Sequence, residues 1–534
     1  MKFVFILLFF CVYSTAQNLS LVEKIKPMDQ SGDHQFGNAI DITGDLMIVG
    51  DRNNRYQLDG TLTPNRSGAA YIYRKDVNDQ WQFEQKLVFP GRPNEVSYGW
   101  EVEIDGDLAF VSAIFGNFSS GSTNLLDPGY LFVYAYDAST SSWSLLQQLQ
   151  APTQESTAYY GRDFSYQNGT LIVGEPWQSL DPITGTTTNA AGAVHVYKRA
   201  TTSGLFTLQQ TLVAPNRVSG AGFGWGLDFD QNRLIVGAAR EMDANNNSNV
   251  GAAYYFEENP TTGFYNFKQR LLPANANVGD FFGHTICTFG SFLAISSPEK
   301  DIQTPTTTWF DQGLVYLYKF DSTTSTWTET QQITTTSAGG NMKFGLDMDL
   351  ENDRLVVGSH KDRYPFPTNQ FPAAVGSVWY FELDAQGIVD RSVQRSVYDD
   401  NNTNFSGDFG YACAISGDLI AVGAIRDEFD ENAMFTGIET GASFVYHLNN
   451  TADVENHKES VLIYPNPVKD WLQIEAPTSI QSLQIRDING RLIHSQDLSR
   501  ALMKLDLSTW KPGIYLLTLV NNQGNRLSYK IIKE

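Results

Sequence analysis

The sequence predicts an all-β chain, a seven-bladed β-propeller followed by a small Ig-like β-sandwich, and three recurring features predict the propeller. An aromatic-Gly pair occurs at Phe36-Gly37, Tyr98-Gly99, Tyr160-Gly161, Phe223-Gly224, Phe282-Gly283, Phe344-Gly345 and Phe409-Gly410, with successive glycines 59 to 65 residues apart. Thirteen residues after each of these glycines comes a small residue that closes an apolar run: Gly50, Ser112, Gly174, Gly237, Ser296, Gly358 or Gly423. A third set, Gly68, Gly129, Gly192, Gly251, Gly313, Gly376 and Gly441, is followed five residues later by Tyr or Phe. Self-similarity of this kind means that one supersecondary unit is stacked on copies of itself.

Each repeat resolves into four strands. The fixed 13-residue interval has a turn pair in its middle, as at Gly44-Asp45, Gly106-Asp107, Asn168-Gly169 and Gly417-Asp418, and reads as a tight hairpin of strands a and b. The aromatic after the third glycine marks strand c. Strand d carries Leu87, Leu149, Leu212, Leu271, Ile333 or Val397, with an aromatic six residues earlier in five repeats and Arg391 in the sixth. Four antiparallel strands per repeat give the blades of a propeller. The seventh repeat stops after strand c at Tyr446, while Ile25 lies 12 residues before Gly37, at the strand-d distance. Residues 20–26 therefore complete blade 7 of a propeller spanning residues 17–446.

The ends have a different character. Residues 1–16 place Lys2 before an apolar run and end in Ser14-Thr15-Ala16, the pattern of a secretory signal peptide cleaved before Gln17. That run is shorter than the roughly 20 residues of a membrane span, and no later stretch is apolar enough to serve as one. Residues 447–460 are polar and read as a linker. In residues 461–534, strand-like runs at 471–474, 483–485, 492–493, 505–507 and 514–517 alternate with turns at Asn489-Gly490 and Pro512-Gly513, which suits the small β-sandwich.

Charge follows the same division. The chain carries −22 overall, and its last 74 residues hold nine Lys/Arg against six Asp/Glu. With that surplus and Lys2 set aside, residues 17–460 carry −26. Such a body is repelled by phosphate backbones, so no nucleic-acid partner is expected. Three cysteines, one of them Cys11 in the leader, exclude a disulfide scaffold, and Cys287 and Cys413 read as buried free thiols. The seven histidines are scattered, and neither a nucleophile elbow nor a phosphate loop occurs, so no catalytic residue, cofactor or metal ligand set is assigned. Residues 243–249 alternate oxygen-bearing side chains but have Ser248 where a calcium loop needs glycine.

Two groups of residues are candidates for function. If strand a runs downward, the b-to-c and d-to-a loops share an upper face. There the long b-to-c loops carry aromatics among polar neighbours: Tyr56, Trp177, Trp309, Tyr364 and Phe366, with Phe115, Phe310, Phe371 and Phe429 beside them. Such a mixture suits a protein or glycan ligand, and the same rings could instead pin their own loops. Strand a, innermost in each blade, places Asp41, Glu103, Asp228 and Asp349 four residues after the repeat glycine, and Glu101, Asp163 and Asp347 two after it. These carboxylates point toward the axis, as a solvated channel or as a funnel for a cation such as Ca²⁺.

The repeats resemble FG-GAP repeats, on their Phe-Gly, apolar-Val-Gly and Gly-Ala-Ala-Tyr blocks. Calcium-binding members of that family have a long Asp-rich loop between strands a and b, which this chain lacks, so their calcium sites are not carried over. The C-terminal segment resembles the type A sorting domain of the type IX secretion system. The likeness rests on Tyr464-Pro465-Asn466-Pro467, the hairpin around Gly490, Gly513 and Tyr515 in Lys-Pro-Gly-Ile-Tyr, and the basic ending. That resemblance implies export across the outer membrane of a Bacteroidota-type bacterium, with the secretion machinery as partner and an extracellular or surface-attached product. A secreted binding or adhesion propeller is the function expected. A carbohydrate-active hydrolase or lyase and a structural matrix component are the alternatives.

Overall fold

The computed structural model describes residues 17–533 apart from 30–31, 121–122, 201–203, 244, 246, 336–338, 363–374, 396–406, 429–438, 451–461, 465–467, 488–490, 512 and 522–525. The leader expected at residues 1–16, the aromatics Tyr364, Phe366, Phe371 and Phe429, most of the expected linker, and Pro465, Asn466, Pro467 and Gly490 lie outside the described residues.

Every regular element described is a β-strand. Seven four-stranded antiparallel sheets form among the described residues. Blade 1, for instance, is built in sequence order from Phe36–Thr43, Leu46–Asp51, Ala69–Lys75 and Trp81–Leu87. Blade 7 differs: Phe409–Ser416, Leu419–Ala424 and Ala442–Asn450 are joined on the outside by Gln17–Ile25 from the other end of the propeller sequence. That outer strand is held by charge as well as by pairing. Lys24 and Lys26 place Nζ 2.8 and 2.7 Å from Asp427 Oδ1, all three side chains being buried.

The three glycine columns are the seams between blades. In strand a, Gly99 has φ +84, and a Cβ there would stand 2.3 Å from the Ala69 carbonyl oxygen of blade 1. A Cβ on Gly50, in strand b, would meet the Gly99 oxygen at 2.4 Å. Only glycine permits backbones this close. The third column makes parallel bridges to the next blade's aromatic, Gly68 to Tyr98, Gly192 to Phe223, Gly251 to Phe282 and Gly376 to Phe409. Gly441 of blade 7 makes the same bridge to Phe36 of blade 1, which closes the ring.

Apolar side chains fill the space between sheets, since each sheet must cover both faces. The repeat aromatics Phe36, Tyr98, Tyr160, Phe223, Phe282, Phe344 and Phe409 are inaccessible to solvent. Tyr98 and Tyr160 donate their hydroxyls to Tyr134 and Tyr197 of strand c at 2.7 and 2.9 Å. At the outer rim a polar column repeats the seam. Gln85 Nε2 donates to the Trp143 carbonyl and its Oε1 accepts the Trp143 N–H, both at 2.8 Å. Gln147, Gln210 and Gln269 grip Phe206, Tyr265 and Trp327 in the same way. In the ring-closing strand Glu23 takes this place, accepting the Trp81 N–H at 3.2 Å.

The C-terminal unit is a five-stranded antiparallel sheet. Its strands are longer than the sequence suggests: 471–474 and 483–485 belong to one 17-residue strand, Trp471–Asp487, paired with the 15-residue strand Leu492–Asp506. Pairing lapses between Glu475 and Ile480, around Pro477 and Thr478, and resumes in a shifted register at Ile480 and Ser482, so that what a strict alternation rule reads as a break is an irregularity within one strand. Leu472, Ile474, Leu483, Ile485, Leu517 and Ile531 form its core. Tyr515 donates its hydroxyl to the Lys511 carbonyl at 2.9 Å, and Gly513 is extended. Tyr464 ends the first strand of this sheet.

Candidate functional site: the mouth of the axial channel

Strand a is the innermost strand, and one of its edges has no strand partner. Its N–H groups must be satisfied some other way. The preceding blade supplies carboxylates. Asp41 accepts the Ile104 N–H at 2.7 Å, Glu103 the Tyr166 N–H at 3.0 Å, Asp228 the Thr288 N–H at 2.7 Å and Asp349 the Ile415 N–H at 2.7 Å. Asp163 and Asp347, two residues after the glycine, reach Leu227 and Cys413 at 2.7 and 2.8 Å. Asp230 and Glu351, six after it, reach Gly290 and Gly417 at 2.7 and 2.9 Å. Each acid thus binds the N–H one position further along strand a of the next blade, about 60 to 66 residues later in sequence.

Enclosure by the ring governs the charge of these acids. Burial pushes Asp41, Asp228 and Asp347 up to about 7, and the N–H bonds hold them back from rising further. Asp163 and Asp349 are raised to about 6 for the same reason. Burial raises Glu101 and Glu103 as well, with Asp163 and Asp347 adding to the rise at Glu101 and Asp41 to that at Glu103. No group of three or more His, Cys, Asp or Glu side chains with metal-ligating geometry occurs among the described residues. Cys287 and Cys413 are buried free thiols on this same layer.

Above the carboxylates, at the loop end of strand a, the residue that follows the repeat glycine lines the mouth of the channel: Trp100, Arg162, Trp225, His284 and Tyr411 in blades 2, 3, 4, 5 and 7. Arg162 lies over the Trp100 ring at 5.0 Å and the Trp225 ring at 4.8 Å. Arg52 lies over Trp100 at 4.9 Å and Tyr411 at 5.5 Å, and Arg240 over Trp177 at 5.2 Å and Trp225 at 5.6 Å. The result is an arc of alternating rings and guanidinium groups, Tyr411–Arg52–Trp100–Arg162–Trp225–Arg240–Trp177, in which each planar cation rests on aromatic faces. His284 and His360 border the arc and stay neutral, since burial depresses both to about 3.

Edge-on ring contacts extend the arc outward, from Trp100 to Phe115 at 5.8 Å, to Tyr159 at 5.4 Å and to Trp177 at 6.0 Å. Phe115 also lines a cleft of about 580 Å³ between the loops of blades 1 and 2, whose other walls include Asn53, Asn94, Asn117, Ser97 and Arg66.

The loop aromatics named from sequence are therefore dispersed. Trp177 joins the arc. Tyr56 packs edge-on against His34 at 5.7 Å within blade 1. Trp309 pairs with Ile302 in a hairpin of two two-residue strands within its own loop, and Phe310 beside it is 67% exposed. Sequence reasoning missed the arc itself. Its signal was the position after the repeat glycine, which varies from Asn38 and Leu346 in blades 1 and 6 to Trp100, Arg162, Trp225, His284 and Tyr411 in the others.

A family model for the FG-GAP repeat matches residues 19–73 and 206–256, and one for the secretion system C-terminal sorting domain matches residues 462–534. The chain carries FG-GAP repeats and a type IX secretion sorting domain. The sorting domain sends this chain across the outer membrane, to the cell surface or the extracellular space, and engages the secretion machinery on the way. No described helix is long and apolar enough to cross a membrane. The comparison with curated proteins returns no match. Solved structures similar to this chain include a protein from Lactobacillus plantarum, at 14% identity over 67% of this chain and 84% of that one, with a TM-score of 0.40. Sqt1 of Saccharomyces cerevisiae is similar at 8% identity over 96% and 98%, and the periplasmic gluconolactonase PpgL of Pseudomonas aeruginosa at 15% over 67% and 85%, both with a TM-score of 0.40.

Proposed function

We propose that this chain is an extracellular binding protein without catalysis, which offers the loop face of its propeller to a polysaccharide or a protein. The observation that supports this reading is how the polar groups at the axis are used. The carboxylates, which a glycosidase would need as acid and base, accept N–H bonds that hold the next blade in place. The arginines and rings above them face the mouth, next to a polar cleft on the same face. Rigid aromatics and arginine are the side chains that bury contact area at low entropic cost.

The experiment is an array of extracellular glycans and surface proteins probed with the full chain, each hit being checked for reaction products. Saturable binding without turnover is the expected result. A released sugar or an unsaturated product would replace this reading with a hydrolase or a lyase, and no saturable ligand at all would point to a matrix component.

A further inference from the structure

The structure assigns the axial mouth to an acidic glycan, whose carboxylate or sulfate group is taken by Arg162. This rests on the binding reading above and narrows it to one residue and one ligand chemistry. Arg162 is half-buried between Trp100 and Trp225, and its guanidinium has no hydrogen-bond or ion-pair partner among the described residues. An arginine that rests on two indole rings keeps its in-plane N–H donors for an acceptor that approaches edge-on, and a planar or tetrahedral oxyanion fits that fork. The carboxylates whose charge acts on it are Asp163, engaged by the Leu227 and Phe164 N–H groups, and Glu101, which accepts the Val102 N–H at 3.4 Å; neither forms an ion pair with the guanidinium. Arg240 repeats the arrangement over Trp177 and Trp225, again with no hydrogen-bonding partner for its guanidinium among the described residues.

A glycan, rather than an acidic peptide, is favoured by the adjoining cleft. Phe115 links the arc to a cavity of about 580 Å³ lined also by Arg66, Glu95 and Asp127 and by Asn53, Asn94, Asn117 and Ser97, whose amide and hydroxyl groups both donate and accept, as sugar hydroxyls do; with two carboxylates there, the cleft suits the neutral hydroxyls of the glycan and leaves its acidic group to the arc. A body carrying −26 outside the sorting domain and leader does not attract polyanions as a whole. Recognition of an anion must then come from this local cationic arc, and a single arginine should have a large effect.

The test measures binding of polygalacturonate, chondroitin sulfate and neutral dextran to the full chain by calorimetry and tryptophan fluorescence, with Arg162→Gln and Arg162→Lys beside the native sequence. At least one acidic polymer should bind and dextran should not, Arg162→Gln should weaken binding about 10-fold or more, and Arg162→Lys should fall between, at an unchanged thermal midpoint. Binding of polygalacturonate alone, or of chondroitin sulfate alone, supports the assignment and tells carboxylate from sulfate. If Arg162→Gln does not fold, Arg240→Gln takes its place with the same expectation. Dextran binding as tightly as either acidic polymer, or an Arg162→Gln affinity within about twofold of native, overturns the assignment and leaves the broader binding reading standing. If neither acidic polymer binds while the array yields another ligand, the assignment again falls alone.

Discussion

Asp228 shows how much one axial carboxylate does. It accepts the Thr288 N–H of the next blade, the Phe229 N–H of its own and the Ser165 hydroxyl of the previous one, at 2.7, 2.8 and 2.8 Å. Alanine there strands an inner-edge N–H and should cost about 1–3 kcal/mol, measured by chemical denaturation. The pH dependence carries a sign. Carboxylates whose pKa rises on folding, from 3.8 to about 7 at Asp41, Asp228 and Asp347, bind more protons folded than unfolded, so their contribution is complete below the unfolded value and is lost as pH rises through about 7. Buried histidines act in the opposite sense. His195, His284 and His360, depressed from 6.5 to about 3, lose stability as pH falls below 6.5. Because the raised acids outnumber these histidines, the thermal midpoint should rise as pH falls from 8 toward about 5, the histidines offsetting part of the gain below 6.5, a course that calorimetry across this range checks. Asp228→Asn, which keeps an acceptor oxygen, should flatten the alkaline limb; an equally steep limb would show that Asp228 does not titrate there.

At the scale of the element, the ring depends on a strand borrowed from the far end of the propeller sequence. Gln17–Ile25 brings Glu23 into the rim position that glutamine holds in other blades, and Lys24 and Lys26 onto Asp427. Asp427→Ala removes a carboxylate shared by two buried ammonium groups and should lower stability by about 3 kcal/mol. Deleting residues 17–27 from the leaderless chain should lower the thermal midpoint further, because it opens a sheet edge as well. An unchanged midpoint would mean the ring closes without this strand. The glycine columns were legible in the sequence because each backbone contact recurs at a fixed offset in every blade. The rim glutamines were equally periodic, two residues before the strand-d apolar position at Gln85, Gln147, Gln210, Gln269 and Gln331, but a polar residue in an outer strand looks like a solvated one until its partner some 58 residues away is seen.

For the whole molecule, what repeats is scaffold and what does not repeat is the candidate site. Alternation in strand a placed acids on the axial side, but it could not show that their partners are backbone N–H groups of the next blade. Selecting aromatics by loop length found Trp177 and passed over Trp100, Arg162 and Trp225, because the position after the repeat glycine differs from blade to blade and a search for recurrence discards it. The sorting domain was legible for the converse reason, since an address read by a receptor depends on local residues in fixed order. Hydrogen exchange of the full chain with and without a ligand from the binding array tests most directly whether the propeller works through its axial mouth. Protection concentrated at residues 98–101, 159–163, 223–226 and 409–412 is the predicted result, and protection confined to the a-to-b turns of the opposite face, with the mouth unchanged, would contradict it.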